Sequence, residues 1–197
     1  IQLAKKSKLF DDIIVSTDSK KIASIARKSG ALIPFFRPKK ISNDYATDKD
    51  VLHHFLNYAK NKKLKIDFLC YLYPTVPLLK LSTLKKCHSL ITKSKYTKLI
   101  TICSFRYPPQ QALKKNKSNE VSFLKNKFKF SRVQDLEKFY FDAGQCYWFN
   151  IPRYLKEKSK NKIKTLSFEL NRYEFQDIDT ADDFKMAQKL FRKSKNI

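Results

Sequence analysis

The sequence predicts an α/β fold with a mostly parallel sheet flanked by helices. Three observations lead there. Short runs of consecutive apolar residues, Ile13–Val15, "IDFLCYLY" (66–73) and "KLITICSF" (98–105), read as strands buried on both faces. Stretches with apolar residues at helical spacing alternate with them, and polar or proline-bearing loops follow the strands.

Taken in order, "IQLAKKSKLF" reads as the end of a helix with a basic face. After Ile13–Val15, Asp18 or Ser19 caps a helix with Ile22, Ile25 and Ala26 on one face, and Gly30 stops it. "LIPFF" (32–36) reads as a short strand, and 37–48 as a polar loop. A helix is expected from about Lys49 to Lys60, with Val51, Leu52, Phe55, Leu56 and Ala59 inward. Pro74 and Pro77 end the strand at 66–73, and a helix follows around Leu81–Thr92. Residues 106–138 break the alternation and read as a hairpin-like arm. Phe123, Leu124, Phe128 and Phe130 argue against disorder there and for a partner surface. The chain returns through a strand at 139–150, a short helix at 151–158 with Pro152 in its first turn, and a strand at 163–170. A last helix runs from Thr180 to about Lys193, with Phe184, Ala187, Leu190 and Phe191 inward. The whole, 1–197, is read as one domain.

Lysine and arginine number 42 against 18 acids, a net charge of +24. The basic residues are overwhelmingly lysine and scattered. Readers of bases and phosphates lean on arginine, so nucleic-acid binding is not the expectation, while attraction for anionic substrates is. No apolar run is long enough for a membrane span, and no signal peptide is visible. The four cysteines never form a CxxC pair, which fits buried thiols in a reducing cytoplasm. Only Gly30 and Gly144 occur as glycines, which excludes a glycine-rich phosphate loop within these residues.

Candidate chemistry concentrates in the loops. "YEFQDIDTADDF" (173–184) gathers four aspartates. Asp177 and Asp179, at strand spacing, share a face; two such carboxylates suit a hard divalent ion, or else form a solvated turn. Asp182 and Asp183 fall in the first turn of the last helix, where its dipole favours acids, and Thr180 with Asp183 matches a capping box. "YPTVP" offers the Thr75 hydroxyl at a strand end, and "DAGQ" places Asp142, Gly144 and Gln145 together. Gly144 there allows either close ligand approach or a bulge. Arg37 stands before Pro38, where it could meet a phosphate or a base or simply lie on the surface. The three histidines lack metal-ligand spacing, and no nucleophile set is visible.

In this order, "LFDDIIVSTDSKKIASIARKSGA", "FRPKKISND", "CYLYPTVPLL", "RVQDLEKFYFDAGQCYWF" and "FQDIDTADDF" resemble the acylneuraminate cytidylyltransferase family, and its pseudaminic acid branch most of all. Tyr73 stands where the sialic acid enzymes carry a glutamine. The resemblance covers essentially the whole chain. It implies a Rossmann-like, cytoplasmic, Mg²⁺-dependent enzyme that moves CMP from CTP to the anomeric hydroxyl of an acidic nine-carbon sugar, releasing pyrophosphate. By matching position it implies Asp177 and Asp179 as metal-holding catalytic residues, and Arg37, Ala46 and Thr47 as the cytidine site. It further implies Tyr73 and Thr75 at the nucleotide–sugar junction, Asp142, Gly144 and Gln145 on the sugar, and a homodimer through the arm at 106–138. The family opens with a strand and a basic, glycine-containing triphosphate loop that these residues do not contain. The expectation is therefore an N-terminally shortened domain, a groove beside Ile13–Ser16, and weak or no CTP turnover. A non-catalytic nucleotide-sugar-binding or dimerising protein is the alternative.

Overall fold

A computed structural model describes residues 1–157, 159 and 163–194. Among the described residues, six strands and six α-helices follow in this order: α1 Gln2–Ser7, α2 Lys20–Lys28, α3 Asp48–Asn61, β1 Phe68–Leu72, α4 Leu81–Lys93, β2 Lys98–Ser104, β3 Leu113–Lys115, β4 Val121–Phe123, β5 Tyr140–Asn150, α5 Ile151–Lys156, β6 Thr165–Glu169 and α6 Ala181–Ser194. Lys158, the last residue of the helix expected at 151–158, lies outside the described residues. Among the described residues, no helix is long and apolar enough to cross a membrane.

The main sheet has the order β1-β5-β2-β6. β5 pairs antiparallel with both β1 and β2, and β2 pairs parallel with β6. Three strands thus share a direction and β5 opposes them, so the sheet is mixed. A parallel neighbour needs a crossover, usually a helix, to return the chain to the same end of the sheet. The segment between β2 and β5 contains no α-helix but the β3–β4 hairpin, so the chain re-enters from the end at which it left. Residues 113–123 of this segment form the hairpin, and Phe130 beyond it is 89% exposed.

Side chains alternate along β5 and build a core on each face. Cys146 and Trp148 join Leu84, Cys87, Ile91 and Leu99 beneath α4, with Phe10 stacked on Trp148 at 5.4 Å. Phe149 joins Leu52, Ile151 and Tyr154 beneath α3 and α5.

Three expectations are corrected. Ile13–Val15 and "LIPFF" do not form strands; they meet in one parallel bridge, Ile14 with Leu32, outside the main sheet. Leu32 N–H donates to Ile13 and Val15 N–H donates to Leu32, so the next rung would need an N–H at residue 34. Residue 34 is proline and has none. In α2 the buried residues are Ala23 and Ala26, while Ile22 and Ile25 lie exposed one position back around the helix. In α6, Ala187 is buried, but Phe184 and Phe191 stay about half exposed.

Leu99 is fully buried on β2 between β5 and β6, with α4 above it. Leu99→Ala is expected to cost about 2–5 kcal/mol, measured as a lower midpoint in urea with an unchanged slope.

Candidate functional site at the β1–β5 edge

β1 and β2 deliver their C-terminal ends to one edge, and antiparallel β5 delivers its N-terminal half there. Tyr71 and Tyr73 are two apart and share a face. Both phenols donate to Asp48, the first residue of α3: Tyr71 to Oδ1 at 3.1 Å and Tyr73 to Oδ2. Tyr147 on β5 packs edge-on against both rings, at 6.3 and 5.8 Å. Its hydroxyl donates to Asp142 Oδ1 at 3.0 Å, and the Gly144 N–H donates to the same oxygen at 3.0 Å. Lys98 sits 4.9 Å from the centre of the Tyr147 ring.

The phenols are neutral donors. Burial, reinforced by Asp48, pushes Tyr71 and Tyr73 above the ordinary tyrosine value of 10.0, and burial with Asp142 does the same to Tyr147. Arg37 pulls Tyr71 slightly back. Burial lowers Lys98, while Asp142 and Asp48 oppose that. Two carboxylates, three phenols and a half-buried ammonium thus form one connected group.

β5 reaches this group through a distortion. Ile100 faces Tyr147 and Ile102 faces Asp142, so a two-residue step along β2 is matched by a five-residue step along β5. Gly144 turns there with φ +61°, which a side chain rarely adopts. A Cβ on it would meet only ordinary contacts, 3.8 Å from the Tyr147 hydroxyl and the Tyr73 ring, so conformation rather than space calls for glycine. The Thr101 hydroxyl opposite accepts from the freed N–H groups of Gln145 and Cys146, each at 3.3 Å.

Arg37 N–H donates to Thr17, and its Nε donates to Ser42 Oγ at 2.9 Å. Its terminal nitrogens have no hydrogen-bond partner among the described residues. Ala46 lies in the turn before α3. Thr47 caps that helix in a capping box with Asp50, so its hydroxyl is engaged. Thr75 lies half-buried in the turn after β1. Gln145 is separated from Asp142 and Gly144: its side chain is fully buried and donates to the Glu174 carbonyl at 2.6 Å.

Asp177 and Asp179 occupy an irregular loop, since β6 ends at Glu169 and a 3-10 turn, Arg172–Glu174, intervenes. The strand spacing assumed for them does not apply. Asp177 is half-buried and its Oδ1 accepts from Ile178 N–H at 2.9 Å; Asp179 is exposed. Neither has an ion-pair partner among the described residues, despite the basic excess. Asp183 completes the capping box with Thr180, and Asp182 pairs with Lys185, so the other two acids have structural roles. No group of three or more His, Cys, Asp or Glu that could hold a metal occurs among the described residues. Asp177, with Oδ2 still open among the described residues, and Asp179 would offer hard oxygen donors of the kind Mg²⁺ takes, one or two carboxylates with phosphate and water filling its sphere.

Reading the sequence missed Asp48, Tyr71, Tyr147, Lys98 and Thr101. The i, i+2 pair Tyr71/Tyr73 was a usable signal; Asp48 was hidden at the end of the segment read as a polar loop, 37–48.

A family model described as cytidylyltransferase matches residues 1–195. The chain is 34% identical to the pseudaminic acid cytidylyltransferase of Campylobacter jejuni over 98% of its own length and 83% of the relative's. It is 29% identical to the CMP-N,N'-diacetyllegionaminic acid synthase of Legionella pneumophila over 96% of this chain and 82% of that one. Among solved structures, CMP:2-keto-3-deoxy-manno-octonic acid synthetase complexed with CTP superposes with a TM-score of 0.63 at 12% identity, covering 98% of this chain and 88% of that one; this likeness shows the fold.

Raised phenol values stabilise the fold below pH 10, and that contribution is lost as pH rises through the folded-state values. Asp48→Asn removes the charge that helps to raise Tyr71 and Tyr73. Ultraviolet difference titration is expected to show the tyrosines ionising at lower pH in the variant, with the alkaline loss of stability beginning earlier.

Proposed function

Because the chain belongs to the cytidylyltransferase family, we propose that it serves transfer of CMP from CTP to the anomeric hydroxyl of an acidic nine-carbon sugar, pseudaminic acid. The sugar hydroxyl forms a bond to the α-phosphorus, the bond to the bridging oxygen breaks, the hydroxyl proton is lost to solvent, and pyrophosphate leaves. One observation carries the reading: Tyr73 on β1 and the Asp142–Gly144 turn on β5, distant in sequence, come together across the Tyr73–Tyr147 ring contact, with the Arg37 charge near enough to act on Tyr71.

The chain's own groups divide the work. Arg37, with two nitrogens to spare, and the turn through Ala46 and Thr47 form the cytidine side. Tyr73 and Thr75 stand at the junction, where the neutral phenol is held in place by Asp48. Asp142 and the Gly144 backbone face the sugar, whose hydroxyl and acylamino groups are hydrogen-bond donors suited to a carboxylate acceptor. Asp177 and Asp179 hold Mg²⁺, which supplies neutralisation of the triphosphate charge when bound. The exposed arm at 106–138 is the surface for a second copy, giving a homodimer.

Isothermal titration tests this without turnover. CTP binding is expected to require Mg²⁺ and to weaken at least tenfold in Asp177→Ala. CMP-sugar binding that is indifferent to the metal and to Asp177→Ala would overturn the enzyme reading in favour of a non-catalytic sugar-nucleotide binder.

A further inference from the structure

The loop that carries Asp177 and Asp179 is pinned at both ends. At its far end the Thr180–Asp183 capping box fixes it to α6, and Gln176 Nε2 adds a bond to Asp183 Oδ1 at 3.2 Å. At its near end, Phe175 packs on Phe141, at 5.2 Å, and beside Cys103, Ala143 and Leu170. That apolar seat holds the segment close but gives it no direction. Direction comes from Glu174. Its carbonyl accepts from Gln145 Nε2 at 2.6 Å on the inside, and its carboxylate pairs with Lys80 at 2.7 Å on the outside.

Gln145 is an expensive residue for this position. Its side chain is 0% exposed, and its Oε1 is buried with no hydrogen-bond partner among the described residues. An apolar side chain of the same size would avoid that cost. The amide's orientation follows from its partner, because only the nitrogen can donate to a carbonyl. The backbone of Gln145 is itself held, through its N–H, by the equally buried Thr101. A rigid donor on the sheet thus aims at one carbonyl three residues ahead of Asp177. The same burial leaves Gln145 no surface to offer a sugar, the role its position in the "DAGQ" motif implies.

We propose that Gln145 is a positioning residue for the aspartate loop: its buried amide fixes Glu174, and so sets the placement of Asp177 and Asp179 for the divalent ion. The metal half of this statement rests on the reading under Proposed function; the clamp itself does not.

Gln145→Met keeps length and removes the donor. Hydrogen–deuterium exchange of the metal-free protein is expected to quicken roughly two- to tenfold across 174–179, with β1 unchanged. With CTP present, the affinity for Mn²⁺, followed by electron paramagnetic resonance as a probe of the Mg²⁺ site, is expected to fall several-fold, while titrated sugar binds as before. Gln145→Asn guards against misfolding of the first variant. It keeps an amide but draws it back from Glu174, so the same two changes are expected. Unchanged exchange at 174–179 in a folded variant overturns the clamp. Weakened sugar binding with unchanged Mn²⁺ affinity returns Gln145 to the sugar site. A wild-type protein that binds no Mn²⁺ with CTP, yet shows the exchange difference, keeps the clamp and removes the metal reading.

Discussion

The distortion of β5 opposite Thr101 is the constraint on which the site depends. A regular antiparallel strand would continue the alternation of Trp148 and Tyr147 toward its N-terminus and present each residue to one of the two cores. Instead, the left-handed turn at Gly144 gathers four residues of β5, 143–146, opposite Thr101 alone. The turn strands backbone donors, and a single fully buried hydroxyl takes two of them. With that accounting closed, Asp142 and Gly144 face the tyrosines while Gln145 is directed to the loop before α6. One irregularity therefore serves both halves of the site.

Charge is handled in an unexpected way for so basic a protein. Asp48 and Asp142 have lysines in abundance to choose from, yet each accepts hydrogen bonds from phenols. A phenol held neutral by burial and by the carboxylate it serves is an orienting partner rather than a neutralising one. Lys98 is near enough to feel both, but its ammonium sits over the Tyr147 and Phe149 rings. Two other acids, Asp50 and Asp183, close capping boxes at helix starts, where hydrogen bonds from the capping threonines hold their carboxyls below the usual range. Asp177 and Asp179, unlike these two, cap no helix, and they lie together in the loop before α6.

The mixed sheet has a functional consequence. Ligands of parallel α/β sheets gather at the carboxyl ends of strands. Here an antiparallel strand stands between two parallel ones, so the edge is built from the ends of β1, β2 and β6 and the beginning of β5. The hairpin arm is the device that reverses β5, and it leaves the sheet at the same edge, between Ser104 and Tyr140.

Much of this was legible in the sequence because it is local. Helix period marked α3, α4 and α6, the threonine–aspartate spacing marked the cap of α6, and "FYFDAGQCYWFN" marked β5 with its glycine. The motifs in register identified the family. What could not be read depends on pairing between distant segments. The opposite sense of β5 follows from the absence of a crossover helix. The failure of Ile13–Val15 to become a strand follows from a proline facing it at Pro34. The convergence of Asp48, Tyr73, Tyr147 and Asp142 needs α3, β1 and β5 brought side by side. The division of "DAGQ", with Asp142 and Gly144 outward and Ala143 and Gln145 inward, was decided by a bulge whose hydrogen bonds end on Thr101, more than forty positions earlier in the chain. Sequence alone determined which residues favour helices, strands and caps. Tertiary structure decided which carboxylates, phenols and amides meet, because their orientation is set by backbone donors and acceptors that only the assembled sheet satisfies.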